Sequence, residues 1–128
     1  MKNIKVFIEK IEELAVIHDV GLCVSLLDEK GEQIFFIKLG PAFPCSTEFS
    51  QLKAKTSYLF QADNHEVYAS IKDLGQVALF DQNYCFIDGG KVVANPSGKK
   101  QYLGVSSTAP LKDKEIAEQL EQLLVRKV

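Results

Sequence analysis

Apolar residues near the start recur at Ile4, Phe7, Ile8, Ile11, Leu14, Ala15 and Ile17, while Glu9, Glu12 and Glu13 fall on the opposite side. That spacing predicts an amphipathic helix from Asn3 to His18. Gly21 in Asp19-Val20-Gly21 suits the left-handed position that ends such a helix. The pattern then becomes continuous: 22–27 and 33–39 are nearly uninterrupted apolar runs. They predict two strands covered on both faces, by a helix layer on one side and a subunit contact on the other. Asp28-Glu29-Lys30-Gly31-Glu32 joins them as a short hairpin. Because successive strand side chains alternate faces, Phe35 and Phe36 point opposite ways and one ring needs a second cover, from an oligomer or a ligand.

A rigid loop, Gly40-Pro41-Ala42-Phe43-Pro44, leads to a second helix that Ser46 or Thr47 would cap, with Glu48 in its first turn. Phe49, Leu52, Thr56, Leu59 and Phe60 mark its expected inward stripe. Lys53 falls at the stripe's edge, placed either to lay its stem over the core with its ammonium in water or to hold a carboxylate in a pocket. Asp63-Asn64 would cap a third helix, His65 to Asp73, closed by Leu74-Gly75. Gln76 to Phe80 fits a short strand or a helical turn.

The segment Cys85 to Ser107 carries the turn signals. Asp88-Gly89-Gly90 lies between Cys85-Phe86-Ile87 and Val92-Val93-Ala94, the composition of a tight hairpin. Asn95-Pro96-Ser97-Gly98 is a second turn, and Gln101 to Ser106 returns as a strand. After Pro110, Ile116, Leu120, Leu123 and Leu124 recur at helical spacing in a closing helix. The succession predicts a single α+β domain over 1–128, with an antiparallel sheet of about five strands and helices segregated to one face.

Composition narrows the function classes. A chain of 128 residues with 46% hydrophobic and 25% charged residues is ordinary for a globular domain. A net charge of −2 argues against a nucleic-acid partner, which a basic face would serve. No apolar run approaches the roughly 20 residues that span a bilayer, and the acid-interrupted start is no secretory signal. These features point to the cytoplasm, away from membranes. Cys23, Cys45 and Cys85 are an odd, widely spaced set and read as free thiols, Cys23 and Cys85 in apolar strand contexts and Cys45 in a loop. His18 follows Leu14 by four residues on the apolar stripe, as a packed or capping histidine or as a haem or metal ligand. His65 would stand exposed in a first helical turn.

Several of these residues recur in order in one family. They are Asp28 with Gly31 after the first strand, Lys53-Ala54-Lys55-Thr56 in a middle helix, Gly89-Gly90 ahead of the later strands, Gly104-Val105-Ser106 in the last strand, and Asp113 at the final helix. The chain thereby resembles the GlcG/HbpS-like family, also known as the haem-degrading domain and found at the C-terminus of PduO-type proteins. The resemblance implies a profilin-like scaffold assembled as dimers or higher homo-oligomers, up to octamers. Some members of that family bind haem, some degrade it and others accompany diol or glycolate metabolism, so haem is the cofactor the resemblance suggests; Lys53, Gly89, Gly90 and Ser106 are the candidate ligand-binding positions. An imidazole-ligated haem would have to use His18 or His65, the two histidines of the chain.

Three functions compete. The leading one is a small oligomeric binding protein for haem, a related tetrapyrrole or a small carboxylated metabolite, with Phe36, Phe43, Tyr58 and Tyr102 as apolar walls. The alternatives are a haem-degrading enzyme and a haem-independent accessory or interaction module. The sequence carries no nucleophile elbow, no metal-ligand spacing and no phosphate loop. Chemistry carried by a cofactor would leave no such mark, so whether a reaction is catalysed stays open.

Overall fold

The computed structural model describes residues 3–76, 80–81, 83–94 and 96–126. Most of the Gln76–Phe80 stretch, and Asn95 of the second turn, lie outside the described residues. Strands β1 (Leu22–Leu27), β2 (Gln33–Leu39), β3 (Gly90–Ala94) and β4 (Lys100–Ser107) pair antiparallel in the order β2-β1-β4-β3. The β1–β2 hairpin is set by its turn. Asp28 Oδ1 accepts from the amides of Lys30 and Glu32 at 2.9 Å each, and Gly31 takes φ 80°.

The sheet has four strands among the described residues, where about five were expected. Cys85-Phe86-Ile87 is not a strand, because side chains satisfy its backbone. The Cys85 amide donates to Thr56 Oγ1 at 2.9 Å, and its carbonyl accepts from Asn64 Nδ2 at 2.7 Å. Asp88-Gly89-Gly90 is accordingly not a hairpin turn. Gly90 opens β3, and the Gly89 carbonyl accepts from the Val105 amide at 3.0 Å.

Among the described residues, four helices, α1 (Ile4–His18), α2 (Pro44–Phe60), α3 (Asn64–Asp73) and α4 (Asp113–Arg126), join the sheet in an α+β fold, with a 3-10 turn at Pro110–Lys112. They are not segregated to one face of the sheet. On one side, Phe7, Ile11 and Leu14 of α1 and Ile116, Leu120 and Leu124 of α4 form the main core over alternate residues of the strands. On the other side α2 packs through Ala54 on Leu27 and Tyr102. All six residues of β1 are buried, as expected of a strand covered twice, but a helix of this chain supplies the second cover. Phe35 meets Phe7 edge-on at 5.1 Å in the main core, whereas Phe36 points the other way and is half-buried.

Two boundary expectations change. Asp19, not Gly21, takes the left-handed position after α1, at φ 52°. A Cβ at Gly21 would stand 2.4 Å from the Ala42 amide nitrogen, so close approach of the next loop explains that glycine. Helix α2 begins at Pro44, pre-set for a first helical position, and has no side-chain cap from Ser46 or Thr47. Among the described residues, no helix is long and apolar enough to cross a membrane.

Candidate functional site

The buried stripe of α2 is Ser46, Ser50, Lys53, Ala54, Thr56 and Ser57. Phe49 and Leu59, expected to face inward, are exposed. The cause is the closeness of helix to sheet: a Cβ on Gly104 of β4 would fall 1.9 Å from the Ser50 carbonyl oxygen. At that separation only small side chains fit between them. Lys53 is therefore no edge residue; it is 2% exposed.

Its ammonium is held at 2.8 Å by Asp113 Oδ2 and at 2.8 Å by the Val105 carbonyl. Asp113 also accepts, at Oδ1, from the Ser107 amide at 3.0 Å and the Ser107 hydroxyl at 2.5 Å. Burial pushes the Asp113 carboxyl above its ordinary range, against the opposing pull of Lys53 and the Ser107 donors. Gly89 leaves the space this arrangement needs. A Cβ there would lie 2.5 Å from the Val105 oxygen and 3.1 Å from Lys53 Nζ. Gly90 in turn makes room for the Asn64 side chain, which binds the Lys53 carbonyl at 3.3 Å and the Cys85 carbonyl at 2.7 Å.

Lys53, Ser106 and Asp113 open onto a small cavity of about 90 Å³, walled also by Phe43, Phe49 and Ile87. A second, larger crevice of about 590 Å³ lies on the other side of Ile87, lined by His65, Tyr68, Phe80, Tyr84, Phe86 and the carboxylates of Asp81 and Asp88. Its rings support one another: Tyr68 stacks on Phe80 at 5.2 Å and 22°, and Phe86 meets Phe80 at 5.4 Å and Tyr84 at 5.8 Å.

The structure thus brings Lys53 and Ser106 together at one cavity and places His65 at the other. Gly89 and Gly90 pack against Lys53 and Asn64 and line neither. His18 is half-buried at the end of α1, far in sequence from both cavities' walls. Its Nε2 is enclosed without a hydrogen-bond partner, and its carbonyl accepts from Lys112 Nζ at 3.1 Å. Of the aromatic residues expected as ligand walls, Tyr58 of α2 and Tyr102 of β4 pair edge-on at 5.1 Å, Phe36 is half-buried on β2, and Phe43 lines the small cavity. The aromatic lining of the larger crevice comes from a segment without periodicity, which pattern reading passes over. Cys23 and Cys85 are buried free thiols, raised by desolvation, and Cys45 is exposed. Among the described residues no cluster of three or more His, Cys, Asp or Glu stands ready for a metal ion.

A layered sheet of this topology is shared by solved proteins. The structure is similar to Klebsiella pneumoniae ORFY, with a TM-score of 0.81, 19% identity and coverage of 95% of this chain and 87% of that one. It is also similar to a PduOC:heme complex, with a TM-score of 0.78, 20% identity and coverage of 91% and 87%. A double mutant of Streptomyces reticuli HbpS aligns with a TM-score of 0.76, 19% identity and coverage of 91% and 80%. No curated protein matches by sequence. These likenesses define the fold. The chain belongs to the family described as haem degrading protein HbpS-like, whose profile matches residues 2–121.

Proposed function

We propose that the protein binds haem or a related tetrapyrrole in the aromatic crevice, where His65 would be the residue that holds its iron. The observation that carries this reading is one imidazole set beside four aromatic rings in an open crevice of about 590 Å³. A flat apolar macrocycle is matched by such a lining, and imidazole is a common axial ligand of haem iron. The donor set therefore fits the group. His18 fits it less well, since its Nε2 is closed off from solvent. Family membership and the haem held by the similar PduOC structure support the same reading.

When bound, haem supplies a redox-active iron. The chain's own residues would offer His65 as a ligand and the contacting rings of Tyr68, Phe80 and Phe86 as one apolar wall. Asp81 and Asp88, which line the same crevice, would disfavour negatively charged propionates beside them. Self-association fits the exposed apolar side chains of Ile4, Val16, Ile17 and Ile34, in a dimer or larger homo-oligomer. Free thiols fit a reducing cytoplasm.

Haem titration followed in the Soret region tests the proposal. Saturable binding near one haem per subunit is expected, lost in His65→Ala and kept in His18→Ala. Absence of a Soret band, or a band indifferent to His65→Ala, overturns it in favour of a haem-independent module or of His18. Loss of the band with reductant and oxygen, with product formed, marks an enzyme; a stable band marks a carrier.

A further inference from the structure

The small cavity between the head of α4 and α2 contains polar groups that the fold uses only in part. Ser106 is 4% exposed, lines the cavity, and its hydroxyl has no hydrogen-bond partner among the described residues. An ammonium has three donors, and Lys53 places one on Val105 and one on Asp113. A third N–H remains available to a ligand. The negative charge nearby is already committed, since Asp113 accepts from Lys53 and twice from Ser107.

A buried hydroxyl and a buried ammonium with a spare donor call for an acceptor, and an acceptor in a desolvated site is best served by an anion. The remaining walls decide what kind. Phe43, Phe49, Ile87 and Pro110 are apolar, so they favour a hydrocarbon end over an inorganic anion, which is hydrated on every side. A cavity of about 90 Å³ limits that end to a few carbons.

We propose that this cavity binds a short-chain monocarboxylate. Its carboxylate accepts from Lys53 and Ser106, and its hydrocarbon end lies against Phe43, Phe49 and Ile87. The site is separate from the aromatic crevice and does not rest on what binds there.

Titrating isotope-labelled protein with propionate, propionamide or chloride at constant ionic strength, and following backbone amide shifts, tests this directly. Propionate is expected to move the amides of Ser106, Ser107 and Ser46 saturably, with a dissociation constant on the order of millimolar. Propionamide has the same shape without the charge, and it should bind at least about tenfold more weakly. Ser106→Ala removes a hydroxyl that no other residue uses, so the amide spectrum should stay that of a folded protein. Its propionate affinity should fall about tenfold. No saturable shift up to about 100 mM propionate overturns the proposal. So does an equal response to propionamide or chloride, or unchanged affinity in folded Ser106→Ala.

Discussion

Lys53 of α2 and Asp113 at the head of α4 meet at 2.8 Å, each only 2% exposed at its side chain. The two helices lie on opposite faces of the sheet, so this ion pair ties both layers together where β4 ends. Its worth is best judged by what happens when it is broken. Removing one partner leaves the other charge buried and unpaired, at a cost of about 3–5 kcal/mol. Lys53→Met, which strands the Asp113 carboxylate, should destabilise by about that amount at neutral pH, and Asp113→Asn by less, because burial already disfavours the charge of that carboxyl. The double variant should lose less than the two single losses combined, because no lone charge remains. A double-mutant cycle from urea denaturation checks this.

The same carboxyl gives the protein a pH signature. Burial raises the folded-state value of Asp113 above its unfolded value, so in that window the native state holds more protons. Stability from this group is complete below the unfolded value of about 3.9. It declines as pH rises through the folded one. The stability difference between wild type and Asp113→Asn should therefore shrink as pH rises across that interval, measured by denaturation at a series of pH values. A difference that grows with pH would contradict the burial argument.

Gly104 is the narrowest point between α2 and the sheet. An added methyl would lie 1.9 Å from the Ser50 oxygen and 2.7 Å from the Ala54 nitrogen, both backbone atoms of a helix that cannot yield alone. Gly104→Ala should cost at least the upper end of the usual overpacking range of about 1–3 kcal/mol. Gly75→Ala has open space around it and only a φ of 69° against it. It should cost about 1 kcal/mol. Thermal melts of the two variants give the ordering.

Thiol accessibility checks the layering. Cys23 and Cys85 are buried with raised thiol values, while Cys45 is exposed at the start of α2. A thiolate-specific reagent should titrate one thiol in the native protein and three after unfolding. Rapid native reaction of Cys85 would show that the segment held by Thr56 and Asn64 opens.

Alternation and turn chemistry made the four helices, the β1–β2 hairpin and the doubly covered β1 legible in the sequence. The inward face of α2 was hidden for a physical reason. Ser46, Ser50, Ala54 and Ser57 recur at helical spacing, but a search for large apolar residues selects Phe49 and Leu59 instead. Small residues mark a face only when something presses close, and Gly104 lies fifty residues further along the chain. Cys85-Phe86-Ile87 looked like a strand because apolar content does not reveal what satisfies the backbone. Thr56 and Asn64 do so here from other elements. Lys53 and Ser106, singled out in the sequence, line the same small cavity. The aromatic crevice was not, since Tyr68, Phe80, Tyr84 and Phe86 converge only through the tertiary fold.

Ile87 is a wall common to both cavities. Its side chain is about half exposed. Were an occupant of one compartment to move this side chain, the shape of the other would change with it, and such linkage works equally in both directions. An occupant of the crevice that displaced Ile87 would change affinity in the small cavity by the same factor as the reverse. The partition between the two cavities is thus a single aliphatic side chain.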